Sequence, residues 1–347
     1  MTLAVRYTAA RTLDTAVVDA PAPGPGEVEL APAYVGICGT DLHIFHGDMD
    51  ARVAAPAVLG HEMSGRIVRV GPEVEGWQPG DAVTVMPLRW DGSCPACRAG
   101  HQHICQHLDF IGIDSPGAMQ QRWRVPASTL IPLPDALPLD RAALVEPTAV
   151  AVHDVGRARV REGEKVVVVG GGPVGVLIAL VAQAAGAEVR VVELSAHRRS
   201  LAQELGLVTW DPAGVDVPGL VGEWTGEAGA DVAFEVSGAA GGVDTAVEVL
   251  GVRGRLCLVA IHSRPREVNL HRFFWRELTL VGARLYERSD FEKAVALVAE
   301  GTIPAERLIS RVVPLTQAPT AFEALEGGGE VMKILVDCTT DIEGARA

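Results

Sequence analysis

Residues 165–175 constrain this chain more than any other stretch. Lys165-Val166-Val167-Val168-Val169 is a nearly unbroken β-branched run, the pattern of a parallel strand buried on both faces. It passes directly into Gly170-Gly171-Gly172-Pro173-Val174-Gly175, followed by an apolar, helix-like stretch to Ala185. The G-x-G-x-x-G pattern alone is a weak signal, but strand, glycine turn and helix in this order form a dinucleotide-binding unit. Gly170 permits the tight turn, and Gly172 lets the backbone approach a pyrophosphate. Gly175 lets helix and strand pack closely, while Pro173 and Val174 open a helix whose N-terminus attracts phosphate charge.

A second strand, 188–192, runs into Glu193. A carboxylate there accepts hydrogen bonds from ribose hydroxyls and repels a 2′-phosphate, which favours NAD over NADP. Arg198-Arg199 is the competing signal, since either could hold a phosphate; Arg198 is expected over the adenine. The alternation continues with a helix over 196–205, a strand over 231–236, a helix over 243–250 and a strand over 255–260. That order predicts an α/β, doubly wound parallel sheet spanning 148–282. Residues 1–147 read differently, as short strands such as 28–35 and 82–85 between Pro and Gly turns, the pattern of an antiparallel barrel-like domain. After residue 282 the chain turns mixed again, with a helix expected over 291–299.

Charge narrows the partners. The chain carries 44 acidic against 30 basic residues, a net charge of -14, which repels nucleic acid and anionic lipid. Val166 to Ala187 is uncharged and long enough to cross a bilayer, but Gly170, Gly171, Gly172 and Pro173 sit in it, so it reads as strand, turn and helix. The N-terminus has no apolar run of the signal-peptide kind. Cys94, Cys97 and Cys105 crowd together, and without a secretory signal such thiols point to metal ligation and a cytoplasmic location.

Two further motifs carry ligand chemistry. Cys38 sits in Gly36-Ile37-Cys38-Gly39-Thr40-Asp41-Leu42-His43, and His61-Glu62 in Gly60-His61-Glu62-Met63-Ser64-Gly65. Thiolate, imidazole and carboxylate together suit zinc.

Gly60-His61-Glu62-x-x-Gly65, followed by Gly71 and Val74, resembles the zinc-containing alcohol dehydrogenase signature of the medium-chain dehydrogenase/reductase superfamily. The turn Gly80-Asp81-Ala82-Val83, the glycine loop and Glu193 fall in the family's order, so the resemblance covers nearly the whole chain. It implies a GroES-like β-barrel catalytic domain, formed by residues 1–147 and 283–347, beside a Rossmann NAD-binding domain. It implies Cys38 and His61 as catalytic zinc ligands, with Glu62 as a third ligand or one exchanging with water or substrate. Glu146, in Leu144-Val145-Glu146-Pro147, stands where many alcohol dehydrogenases have a cysteine and polyol, butanediol and threonine dehydrogenases have Glu-Pro. The chain resembles that branch, in which Glu146 reaches zinc directly or through water. Thr40 matches the Ser/Thr that binds the substrate oxygen, His43 the proton-relay histidine, and Val259 with Ile261 the segment contacting nicotinamide. Lys333 falls near the pyrophosphate or on a solvated surface.

The segment 91–105 resembles the family's structural zinc lobe. Its four-cysteine pattern has Asp91 in the first place, followed by Cys94, Cys97 and Cys105. A site of one aspartate and three cysteines, a site completed by His101 or His103, and an empty lobe all remain open. The resemblance implies a homodimer or homotetramer that oxidises a secondary alcohol, a polyol, sugar derivative or vicinal diol, reversibly with NAD. An L-threonine 3-dehydrogenase-like enzyme and a non-catalytic NAD- and zinc-binding sensor are the alternatives.

Overall fold

A computed structural model describes residues 1–262, 264–326 and 330–339, which divide into two compact units. One comprises Met1–Glu146, Phe291–Gly301 and the described residues from Ala305 on; the other comprises Pro147–Asp290 and Thr302–Pro304.

The first unit is built on a mostly antiparallel sheet. Among the described residues its path runs Leu130–Pro132, Ala82–Val85, Glu62–Val70, Glu27–Gly36, Lys333–Asp337 and Ile309–Pro314, with Trp123–Pro126 also pairing Glu27–Gly36. Its last two strands pair parallel to each other. The strand Lys333–Asp337 therefore lies inside the sheet, antiparallel to Glu27–Gly36, with Leu335 opposite Gly36. Val28, Leu30, Val35, Met63, Ile67, Ile334 and Leu335 are buried along these strands. Three further strands, Thr12–Val18, Thr2–Ala9 and Ala57–Val58, make a second sheet. The first sheet places the end of Glu27–Gly36 beside the starts of Lys333–Asp337 and Glu62–Val70, where the candidate ligands sit.

The second unit is a parallel, doubly wound sheet in the order Val208–Trp210, Glu188–Val192, Lys165–Val169, Ala230–Glu235, Leu250–Leu258, Thr279–Gly282. The strand order reverses between Lys165–Val169 and Ala230–Glu235, and such a switch point opens a crevice beyond the strands' carboxyl ends. Helices Pro173–Ala184, Ala196–Glu204, Val217–Thr225 and Ala240–Glu248 alternate with the strands. The uncharged run 166–187 thus resolves into strand, turn and helix. No helix among the described residues is long and apolar enough to cross a membrane. The unit extends to Asp290, beyond the boundary expected at residue 282.

Candidate active site

Cys38 follows the strand Glu27–Gly36 and caps the helix Gly39–His46. Asp41, at the third helical position, accepts the Cys38 N–H through Oδ2 at 2.9 Å, a reciprocal capping arrangement that fixes where the thiol points. His61 and Glu62 open the strand Glu62–Val70, and the ligand atoms of Cys38, His61 and Glu62 all lie within 4.8 Å of one another. His61 Nδ1 faces Asp41 Oδ1 at 3.7 Å, and both atoms are buried without a hydrogen-bond partner. Phe110 packs edge-on against the imidazole, 5.1 Å between centroids.

The electrostatics of this cluster are set by buried acids. Burial opposes a charged imidazole, yet Asp41, Cys38 and Glu146 raise the His61 pKa well above its usual value. Burial, then Glu62, raises the Cys38 thiol, with His61 and Lys333 acting the other way. Burial likewise raises Asp41. A divalent cation between thiol and imidazole answers each of these effects at once, and a soft S, N and O donor set suits zinc. Glu146 is buried at the start of the helix Val145–Arg157, close enough to act on His61 and Lys333.

Lys333 departs from the expectation of a pyrophosphate contact or a solvated surface residue. It is buried, and its ammonium donates to Glu62 Oε1 at 2.8 Å, Glu62 Oε2 at 2.6 Å and the Ile37 carbonyl at 3.2 Å. Thr40 and His43 are half-buried and three residues apart on the helix, hence on one face. His43 Nδ1 lies 3.2 Å from Asp48. His153 pairs with Asp290 at 2.8 Å within the second unit.

In the second unit the glycine loop closes on its acid. Gly170 takes φ 108°, and a Cβ on Gly175 would overlap the Gly170 carbonyl oxygen. Gly172 caps the helix Pro173–Ala184, with Pro173 in its first turn and Val174 next, leaving the N-terminal amides for an anion. Glu193 accepts Gly171 N–H through Oε2 and Ser195 N–H through Oε1, both at 2.7 Å. Arg199, one of the two candidate phosphate ligands, is bound to the Glu193 and Leu194 carbonyls and pairs with Asp211 at 2.9 Å. Arg198 lies near Gly172, its Nη1 3.7 Å from where a Cβ would stand. Val259 N–H bonds the Glu235 carbonyl, and Ile261 is exposed just beyond.

The lobe gathers Asp91, Cys94, Cys97 and Cys105 within 4.8 Å of one another. Asp91 Oδ1 accepts the N–H groups of Ser93 and Cys94, at 2.8 and 3.0 Å, and lies 3.5 Å from Cys105 Sγ. Cys94 Sγ likewise accepts from Cys97 and Gln106, which brings the Cys94 thiol down to about 7. His107 holds the outer Asp91 oxygen at 2.6 Å and keeps its carboxyl well below the usual range. His101 and His103 are not in this cluster; they stack edge-on with each other at 6.2 Å.

Comparison with known proteins follows the same division. Residues 24–135 match the alcohol dehydrogenase GroES-like domain, and 173–300 match the zinc-binding dehydrogenase domain. A 2-dehydro-3-deoxy-L-galactonate 5-dehydrogenase of Pseudoalteromonas atlantica is 48% identical over 97% of this chain and 99% of its own. The chain belongs to the zinc-binding dehydrogenase family. The L-galactonate-5-dehydrogenase of Escherichia coli is 32% identical over 87% of this chain and 89% of its own. A zinc-binding dehydrogenase structure from Sinorhizobium meliloti, bound to NADP, superposes with a TM-score of 0.92 at 32% identity, covering 97% and 99% of the two chains.

Sequence reasoning passed over Asp41 and misplaced Lys333 in this dehydrogenase. Asp41 carried a readable signal, since an acid three residues after a helix cap is a capping pattern. Lys333 carried none, because nothing local distinguishes a buried lysine from a solvated one.

Proposed function

We propose that this dehydrogenase oxidises the secondary hydroxyl of a sugar acid to a ketone, reversibly and with NAD. The observation that carries the reading is the buried cluster of Cys38, His61 and Glu62, with Asp41 behind the imidazole. The sugar-acid substrate is drawn from the 48% identical relative and the E. coli enzyme, both named for oxidation at position 5 of an aldonate-type chain. Bound zinc would polarise the alcohol oxygen and lower its pKa, and NAD would accept the hydride.

The chain's own residues do the rest. Cys38 and His61 hold the metal, and Glu62 or Glu146 completes its protein ligands. Thr40 passes the proton of the substrate hydroxyl on towards the nicotinamide ribose, and His43, partly exposed, releases it to solvent. Gly170 to Gly175 cradle the pyrophosphate, and Glu193 accepts the ribose hydroxyls. That acid favours NAD, although the S. meliloti structure holds NADP. In the lobe, Asp91, Cys94, Cys97 and Cys105 hold a second, structural zinc.

A homodimer or homotetramer and a cytoplasmic location belong to this reading. The outer strand Thr279–Gly282 has an unpaired edge among the described residues, and Leu270, Phe274 and Trp275 on the preceding helix are exposed. All six cysteines are free thiols, as a reducing compartment keeps them.

The test is reduction of NAD and NADP by the purified protein with aldonates, 3-deoxy-2-oxo acids, polyols, vicinal diols and L-threonine, with and without a chelator. Chelator-sensitive NAD reduction confined to the sugar acids is the expected result. Turnover of polyols or threonine without sugar acids would overturn the substrate assignment.

A further inference from the structure

Lys333 is the one buried lysine or arginine among the described residues, and its three donors are all used inside the first unit. Two go to the Glu62 carboxylate and the third to the carbonyl of Ile37, the residue before Cys38. The ammonium therefore ties the segment bearing His61 and Glu62 to the segment bearing Cys38, from a third strand, Lys333–Asp337. Gly36 completes the seat: a Cβ there would collide with Glu62 Oε2, so the carboxylate lies flat against the strand. Three buried acids, Asp41, Glu62 and Glu146, surround the ligands, and a carboxylate buried without a cation is strongly destabilising.

We propose that Lys333 is a positioning residue, a resident cation that keeps Glu62 and the Cys38–His61 ligand pair assembled before metal arrives. The proposal rests on the reading of this cluster as a metal centre. A divalent cation brings its own positive charge to the same carboxylates, so metal and ammonium share one task. Loss of the ammonium must then harm the metal-free protein more than the metal-loaded one. An ordinary packing residue would be missed equally in both.

The experiment compares thermal unfolding of whole wild-type protein and Lys333→Met, each stripped by chelator and reloaded with zinc. Breaking a buried ion pair should lower the Tm of the stripped variant by about 10 °C, and that of the loaded variant by less than half as much. The lobe is common to both proteins and cancels in the comparison. Lys333→Met/Glu62→Gln, which removes the stranded carboxylate, should recover most of the stripped-state loss even if the single variant folds poorly. Equal losses with and without zinc, no loss in the stripped protein, or no recovery in the double variant would each overturn the proposal. Cobalt loading separates this from the underlying reading. A thiolate absorption band that Cys38→Ser removes establishes the metal centre, and its absence in the wild type overturns both.

Discussion

Replacing Asp41 with asparagine separates two roles that the structure gives to one side chain. Oδ2 accepts the Cys38 N–H at 2.9 Å, and the amide oxygen of Asn can do the same. Oδ1 faces His61 Nδ1 at 3.7 Å in a site with no solvent exposure, and that charge is what the substitution removes. A carboxylate behind a ligating imidazole fixes the ring and raises its basicity, and losing it typically weakens metal binding by ~10–100-fold. That corresponds to about 1.4–2.7 kcal/mol. The metal-free protein should respond in the other direction. Burial raises the Asp41 pKa, which marks its charge as costly, and a neutral group of the same shape relieves that cost. Asp41→Asn should therefore hold zinc at the Cys38 site ~10–100-fold more weakly while its stripped form melts no lower than wild type. Competition against a chromophoric chelator, with thermal unfolding beside it, reads both quantities. Zinc affinity within about twofold of wild type would refute the argument and leave Asp41 as a helix cap.

Three further outcomes follow from the other sites. Gly175→Ala places a methyl on the Gly170 carbonyl, so NAD binding in a fluorescence titration should disappear, with about 1–3 kcal/mol of overpacking; retained binding would refute the close approach. Glu193→Ser removes a charged acceptor, so KM for NAD should rise ~10–100-fold while the NADP-to-NAD ratio of kcat/KM increases; an unchanged ratio would remove Glu193 from cofactor selection. Asp91→Ala should cost the protein its lobe zinc in elemental analysis and Asp91→Cys should retain it. A full complement in the alanine variant would show that three cysteines suffice.

Local pattern carried the second unit. Lys165–Val169 ends where its β-branched run ends, because a strand buried on both faces is apolar along its whole length. The helix Ala240–Glu248 begins three residues earlier than its apolar pattern. Gly241 and Gly242 hide its first turn from propensity, and Gly242 is required there by the close approach of Ser237. The edge strand Thr279–Gly282 went unread, being short and largely exposed. In the first unit the candidate ligands that the structure brings together were legible as motifs, because Cys, His and Glu in those contexts have few other uses. What joins them was not. The pairing of Gly36 with Leu335, and the ion pair of Glu62 with Lys333, span nearly the whole chain, and no local period encodes such a contact.

That long-range pairing also sets a timetable for synthesis. Ile37 and the lysine that bonds it are 296 residues apart, and a ribosome adding about 5–20 residues per second needs roughly 15–60 s to cover that distance. Throughout that interval the Tyr34–Gly36 end of the strand lacks the partner that will cover it, although Trp123–Pro126 already covers Glu27–Leu30, while the contiguous residues 147–290 can fold. The nascent chain therefore carries a finished nucleotide fold beside an open, aggregation-prone edge. Substitutions that slow the arrival of Lys333–Asp337 should first appear as lost soluble yield, with normal behaviour in the molecules that mature.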